Sequence, residues 1–476
     1  MGPEHPRTLS AKVMYGEALY ELGRNKETIA LLQPAIDAAR RIHEIRSVVN
    51  GLRSLSSAQL DEGATDAGVE SSRQAVEALT TGPVRPVDAM ATWSSYANAL
   101  NVAQLDGQVE AARQALALAP QIYGTRLTLP VIDAQLLLAQ GMIRQGQVVE
   151  GMHELDSLLP ATVTLVGPAH PRVRLIANFL GNAKLETGDV LGAIAALRTS
   201  LDASEQASAK GAAPPAFERG MDLYTLATVY AAARRHDMAL PLQAEAAALF
   251  RESAGALHPM ALRSLSARAL TLARLGRLDE SDKSFAAIAE LPWSGPDKAA
   301  HEGRLAALRS LQQRHAEALA LAQSAAEVLQ KFPARIVQAN VLNALGSVRV
   351  AAGQAAQALE PLQRAHALYE ALQPAMSPDH ADLLVALGRA QLQLGDARLA
   401  LVSLDLADRF WQGFDAGNRS AALAALYHAQ ALLRLDVHDP QAGKLMERAA
   451  TVVARSPFPA DRALLLALRA EMTPRR

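Results

Sequence analysis

The sequence predicts an all-α fold of stacked helical hairpins, and three observations predict it. Leu and Ala dominate a chain of 476 residues in which aromatics make up 4%, and Val and Ile are too sparse to furnish the strands of a large sheet. Glycines recur along almost the whole length at a near-constant interval. Small and large apolar residues follow those glycines at fixed offsets that place them on one face of a helix.

The glycines are Gly23, Gly107, Gly146, Gly188, Gly276, Gly353 and Gly395, separated by 39 or 42 residues or by about twice that. Five residues beyond each stands a small residue: Thr28, Ala112, Gly151, Ala193, Ser281, Ala358 and Ala400. Four further on comes a large one: Leu32, Leu116, Leu155, Leu197, Phe285, Leu362 and Leu404. Three after that comes Ala35, Ala119, Leu158, Ser200, Ile288, Ala365 or Ala407. The small residue permits contact between helices and the large one fills the hollow beside it. Seven residues before the turn, Gly16, Gly181, Gly346 and Gly388 sit inside the first helix of their hairpins, with Ala139 and Ala269 at the same place elsewhere. A helical glycine costs about 1 kcal/mol relative to alanine, so its return at one register predicts a neighbouring backbone too close for a side chain.

Between these units, helix pairs around Ser47 to Leu79, Met221 to Phe250, Ala300 to Leu329 and Ala421 to Val453 keep the helical period without the turn glycine, which brings the number of hairpins to about eleven. Pro and Gly cluster at Pro120 to Pro130, Pro160 to Pro171, Lys210 to Pro215, Leu291 to Pro296 and Gln373 to Pro378, and these are read as connections. Glu205 to Phe217, poor in large apolar residues, reads as the most flexible loop. Several connections end in a His-Pro step, at His5-Pro6, His170-Pro171 and His258-Pro259, with His380-Ala381 as a variant. Proline at the first helical position loses no useful N–H, so these histidines are read as punctuation rather than chemistry. The first helix begins around Pro6, and Ala460 to Met472 forms a last amphipathic helix followed by Thr473 to Arg476. The domain reading is a solenoid over 1–455 and a capping helix with its tail over 456–476, since a stack needs a final helix with one polar face.

The motif resembles the tetratricopeptide repeat, in Leu180-Gly181 through Gly188 to Ala193, in Leu394-Gly395-Asp396 and in Leu275-Gly276-Arg277. The usual unit has 34 residues, whereas the period near 42 is similar to the longer repeats of kinesin light chains and of the C-terminal regions of bacterial serine/threonine kinases. The resemblance implies a right-handed α-α superhelix whose first helices line a concave groove that binds an extended or helical peptide. Matching the register gives the groove positions Asn101, Gln140, Arg144, Asn178, Asn182, Tyr224, Arg263, Arg274, Asn340, Asn343 and Arg389. Asparagine and glutamine amides both donate to and accept from a peptide backbone, and arginine adds a fork for carboxylates. The lysines of the chaperone-tail clamp found in some relatives are missing at the matching places.

Composition and motifs exclude several function classes. A net charge of −1 and the absence of any like-charge run longer than a pair such as Arg40-Arg41 or Arg234-Arg235 leave no polybasic arm, so no nucleic-acid partner is expected. No stretch of about 18 apolar residues occurs, so no membrane insertion by this chain is expected. Cysteine is absent, which removes thiolate chemistry and disulfides. There is no Gly-x-Ser-x-Gly elbow, no Gly-rich phosphate loop and no dinucleotide fingerprint. His43-Glu44, His153-Glu154 and His301-Glu302 open like a zinc-protease motif, but Ser47, Ser157 and Leu305 stand where the second histidine belongs. The densest group of metal-ligand types, His428, Asp436, His438 and Asp439, reads better as a helix start, with Asp439 the N-cap before Pro440. No catalytic residue, metal site or cofactor is therefore expected. The expected function is a non-enzymatic interaction scaffold in the cytoplasm with a protein or peptide partner. The alternative is the sensor arm of a larger bacterial signalling protein, a kinase, periplasm-facing if membrane-bound, or a transcription activator, and the abrupt start at Met1-Gly2-Pro3 speaks for it.

Overall fold

The computed structural model describes residues 2, 4–332 and 336–472. The expectations resting on Met1, Pro3 and the tail Thr473 to Arg476 lie outside the described residues. Contacts divide the chain into two compact units, Met1–Ala183 and Lys184–Arg476. Unit 1 contains α1 (Pro6–Glu21), α2 (Asn25–Arg41), α3 (Ile45–Asp61), α4 (Thr65–Ala78), α5 (Pro86–Val102), α6 (Gln108–Tyr123), α7 (Leu129–Arg144) and α8 (Val148–Val166). Helix α9 (Pro171–Glu186) runs across the boundary. Unit 2 contains α10 (Val190–Ala209), α11 (Ala216–Ala232), α12 (His236–Ala254), α13 (Pro259–Arg274), α14 (Leu278–Ala286), α15 (Gly295–Leu311), α16 (His315–Leu329), α17 (Ile336–Ala351) and α18 (Ala355–Leu372). It continues with α19 (Pro378–Gln393), α20 (Ala397–Phe414), α21 (Arg419–Leu435), α22 (Pro440–Arg455) and α23 (Pro459–Met472). The described residues thus form eleven hairpins and one further helix, without a strand, in an all-α superhelical repeat fold. No helix among them is long and apolar enough to cross a membrane.

Seven of the hairpins carry the residues that the offsets singled out, and these residues pack at their turns. The seven turn glycines all have positive φ, between 70° and 95°, a conformation that side chains with a Cβ rarely adopt. The small residues five positions on are buried in every case, and six of the seven large ones are buried, with Leu116 half-buried. A Cβ added at Gly16 would stand 2.5 Å from Leu32 Cδ2, at Gly346 2.4 Å from Leu362 Cγ, and at Gly388 2.4 Å from Leu404 Cγ. The expected close backbone is therefore replaced at these three positions by the leucine side chain of the second helix of the same hairpin. Where the small residue carries a hydroxyl, it adds a strut between the two helices: Thr28 Oγ1 donates to the Gly16 carbonyl at 3.3 Å and Ser281 Oγ to the Ala269 carbonyl at 2.7 Å.

Several expectations need correction. The pair at Ser47 to Leu79 does have its turn glycine, Gly63 with φ +78°, followed at the same offsets by Gly68, Ser72 and Ala75. In two other hairpins a side-chain-bearing residue takes the left-handed position: Arg234 and Gln313, each with φ +62°. Pro120 and Pro160 lie inside α6 and α8 rather than in connections. All five prolines inside described helices, these two with Pro34, Pro241 and Pro361, are on second helices, and all but Pro361 are exposed. The loop read over Glu205 to Phe217 shrinks to residues 210–215, because α10 extends through Ala209 and α11 starts at Ala216. The His-Pro histidines cap their helices: the Nδ1 atoms of His5, His170 and His258 accept from the backbone N–H two residues on, at 3.2, 3.1 and 3.2 Å. His380 departs from that pattern, since Ser377 is the N-cap of α19 and His380 stacks on Tyr369 at 5.1 Å.

Within each unit the helices form two layers. First helices pack against their hairpin partners and also side by side with the next first helix, as α1, α3, α5 and α7 do in unit 1 and α11 to α21 do in unit 2, whereas successive second helices have no such contact. The first helices therefore make the inner layer. Helix α23 packs on α21 and α22, burying Leu465 and Leu468. The interlock generates a direct test. Replacing Gly346 or Gly388 with Leu should cost about 1–3 kcal/mol through overpacking against Leu362 or Leu404, read as a drop in thermal midpoint, while an unchanged midpoint would contradict the register.

Candidate functional site

The groove positions read from the sequence lie on first helices, and the structure gives most of them partners inside the chain. In unit 1, Asn101 of α5 donates to Gln140 Oε1 of α7 at 3.3 Å. Arg144, at the end of α7, donates to the carbonyls of Leu100 at 3.3 Å and Leu105 at 2.6 Å, which ties it to the C-terminal end of α5. Asn182 donates to the carbonyl and Oδ1 of Asn178 one turn earlier, at 2.9 and 3.1 Å. In unit 2, Arg263 forms a fork to Asp297 on the next first helix, at 2.6 and 3.0 Å. Tyr224 meets Phe250 edge-on with ring centroids 6.4 Å apart. Asn340 accepts from the buried Tyr369 hydroxyl, and Asn343 donates to the Asp379 carbonyl at 3.4 Å. Arg389 lies 4.8 Å above the Tyr427 ring. Asn101, Gln140, Arg144, Arg263 and Asn343 thus link neighbouring first helices, whereas Asn182 bonds within its own helix and Asn340 meets the second helix of its hairpin.

Arg274 is different. It makes no hydrogen bond or ion pair with any described residue. Its side chain is exposed, yet it stands close enough to Arg234, Asp382, Arg419 and Asp379 for their charges to act on it. Burial by the surrounding protein, then Arg234, pull its pKa down to about 10.

Unit 2 also holds a set of contacts that sequence reasoning missed. Within unit 2, turns of early hairpins touch elements 145 to 188 residues later in the chain. The Ala375 N–H donates to the Thr187 carbonyl at 3.2 Å, and Gly188 lies so close to Ala375 that a Cβ would stand 2.3 Å from its carbonyl oxygen. Arg234 reaches the start of α19, with Nη2 2.6 Å from Asp379 and 2.8 Å from Asp382, and Nε 3.0 Å from Asp382. Ser420 Oγ donates to Asp382 at 3.3 Å. The Gly276 turn abuts Pro457, and Phe414 packs on the cluster around Val190 and Tyr230. Burial works against the Arg234 charge, but Asp382 and Asp379 outweigh it and hold the guanidinium firmly protonated. The one signal that could have revealed this contact is Arg234 itself, an arginine where the hairpin turn calls for glycine.

Two buried histidines, His301 and His380, are held uncharged. His301 stacks on Trp293 at 4.2 Å and is 3.1 Å from Ser266 Oγ; burial, with a smaller effect from Arg304, lowers its pKa to about 4. His380, whose Nε2 is 2.8 Å from His366 Nδ1, is likewise lowered to about 4 by burial and then by His366. His428 of the proposed ligand group faces Asp408 at 3.4 Å, and Asp439 caps α22 by accepting from Gln441 N at 2.7 Å. Among the described residues no group of three or more His, Asp or Glu side chains could hold a metal ion.

Comparison with known proteins agrees with this architecture. A family model for the tetratricopeptide repeat matches residues 221–288 and 297–371. No curated protein matches the chain. Among solved structures, a Rap protein complexed with competence and sporulation factor is 14% identical, with 80% of this chain and 99% of that one covered at a TM-score of 0.53, and it shares the fold. The apo quorum sensor NprR from B. thuringiensis is 14% identical over 80% and 98% of the two chains, with a TM-score of 0.47. BtubC (BKLC) from P. vanneervenii is 18% identical over 48% and 91%, with a TM-score of 0.42.

Two outcomes are expected from these features. Removing the acidic partners with Asp379→Asn and Asp382→Asn should destabilise unit 2 by about 1–3 kcal/mol, since charged hydrogen bonds are lost around a mostly buried guanidinium. Arg234→Gly should cost less, because glycine relieves the left-handed backbone, and the two changes combined should be less than additive by denaturant unfolding. Acid should weaken the fold through His301 and His380. Their folded pKa values near 4 lie below the 6.5 of a free histidine, so between pH 6.5 and 4 the unfolded chain binds more protons. Stability is then complete above pH 6.5 and lost on acidification towards pH 4, by up to about 3 kcal/mol for each histidine. Thermal midpoints across pH 7 to 4.5 should fall, and His380→Phe should make the fall shallower.

Proposed function

Since this chain is a tetratricopeptide-repeat protein, we propose that it is a non-enzymatic scaffold that binds a peptide or protein partner along the inner layer of its first helices. The observation that carries the reading is the layering itself: first helices pack side by side in each unit and carry exposed polar residues, Arg144 in unit 1 and Arg274 in unit 2 among them. A row of amides and guanidinium groups on closely spaced helices can satisfy the backbone and acidic groups of an extended chain. The Rap protein, which shares the fold, was solved with competence and sporulation factor bound, which supports a role of this kind. Arg263 and Asn343 are engaged with the next first helix, so their part in this reading is to set the spacing of the layer. Helix α23, whose buried leucines cover the last hairpin, serves as its cap.

The test is site-specific photo-crosslinking in a lysate of the source cell, with the reactive residue placed at Arg144, at Arg274 or, as a control on a second helix, at Val402, which is 69% exposed. The expected result is adducts at the two first-helix positions and none at Val402. Adducts confined to Val402 would move binding to the outer layer, and none at any position would contradict the scaffold reading.

A further inference from the structure

Helix α1 carries an apolar stripe that no described residue covers. Ala11, Met14, Tyr15 and Ala18 recur at three and four positions and so share one face of the helix, and all four are exposed, Met14 at 67% and Tyr15 at 57%. Counted back from the turn glycine Gly23, they stand at the positions that Leu383, Ala386, Leu387 and Ala390 hold before Gly395 in α19. Those four are buried in one cluster with Leu345 of α17 and Leu362 of α18, the preceding hairpin. Val341, Leu345 and Val348 of α17, at matching offsets from Gly353, are buried as well. These positions of a first helix are where one hairpin joins the next, and in α1, which packs on α2 and α3, they face solvent.

The charges of α1 run against its own dipole. Its first turn holds Arg7 and no acid, its last turn Glu21 and no base, so each end carries the sign that a helix disfavours there. Neither of these side chains has a hydrogen bond or ion pair with a described residue, although around them Glu4 is joined to Arg41, Glu17 to Arg53 and Arg24 to Glu27. Arg7 and Glu21 stand 14 residues apart, about four turns, which places both along the same edge of the stripe.

We propose that α1 is a self-association surface, through which two copies of this chain pair with their α1 helices antiparallel about a twofold axis between Met14 and Tyr15. The charges select this occupant. An antiparallel copy sets Arg7 beside the partner's Glu21 and Glu21 beside the partner's Arg7, and so lays each misplaced charge next to the helix end that favours it. The same axis brings Ala11 against the partner's Ala18, where two small side chains let the backbones approach, and Met14 against the partner's Tyr15, a thioether-to-ring contact. A head-to-tail stack is disfavoured, because the face of α21 and α22 that would receive a further hairpin is occupied by α23, with Leu465 and Leu468 buried there. The inference stands apart from the scaffold reading, since it concerns the face by which hairpins stack rather than what the inner layer holds.

The test is the mass of the full chain by sedimentation equilibrium over a concentration series reaching about 100 µM, because a single helix pair belongs to the small, transient class of interface. The expected result is a mass that climbs from one chain towards two for wild type and stays at one chain for Met14→Glu. Association should be at least about tenfold weaker for Arg7→Glu and for Glu21→Arg, each of which sets like charges together. An equimolar mixture of those two variants should associate again, since each supplies the charge that the other lacks. All three positions are exposed, so the variants should keep the wild-type circular dichroism, and recovery in the mixture shows directly that both remain folded. A wild-type mass of one chain throughout overturns the proposal and leaves the stripe to a different partner. A dimer indifferent to Met14→Glu places the contact elsewhere and overturns it equally, and a mixture that fails to recover overturns the antiparallel pairing.

Discussion

The dependence of one leucine on one missing side chain governs the architecture. In the hairpins that begin with α1, α17 and α19, the second helix lies where it does because Leu32, Leu362 or Leu404 enters the space that a Cβ at Gly16, Gly346 or Gly388 would occupy. The glycine is a poor helix former, and its cost of about 1 kcal/mol is offset by burial of a whole leucine, about 2 kcal/mol. The turn glycine sets the direction in which the chain returns, and the small residue after it, buried in each hairpin, allows the two backbones to approach. With that spacing fixed, first helices come into register with one another, and the inner layer follows.

Much of this was legible in the sequence because it is periodic. Gly23, Thr28 and Leu32 recur as Gly353, Ala358 and Leu362, and a repeated offset carries its geometry with it. The helix count and the starts of α1 and α23 follow from pattern and capping alone. The candidate groove was legible only as a set of helix faces. Asn340 and Asn343 have the composition of ligand-holding residues, yet one serves the Tyr369 hydroxyl and the other the Asp379 backbone. Sequence offset can place a side chain on a face, but the partner it chooses there depends on which helix comes alongside. Pro120 and Pro160 were misread because proline marks a connection only by propensity, and both stand at exposed positions of second helices that continue through them.

The contacts of Arg234 were out of reach of any local reading. They join residues 145 and 148 positions apart, and no periodic signal connects them. What the sequence does carry is an exception. Arg234 stands in a left-handed turn with a full side chain, a conformation that costs on the order of 1–3 kcal/mol and persists where surrounding structure overrides it. Here the overriding structure is a pair of aspartates at the start of α19. Departure from a repeat pattern is thus the place to look for what a particular member does differently from the pattern.

Long-range closure changes the physics of unit 2 as a polymer. A stack in which each repeat meets only its neighbours behaves as a one-dimensional chain, whose ends can fray while the middle stays folded. The joins between Thr187 and Ala375, Arg234 and Asp379, and Gly276 and Pro457 add a second dimension of connectivity. Forming them requires loops of well over a hundred residues to close, at an entropic cost that grows only logarithmically with length, and once formed they make distant hairpins gain and lose their order together. Unit 2 should therefore melt as a block with few partly folded forms, and a ligand seated in its interior would meet a scaffold that resists stretching along its axis.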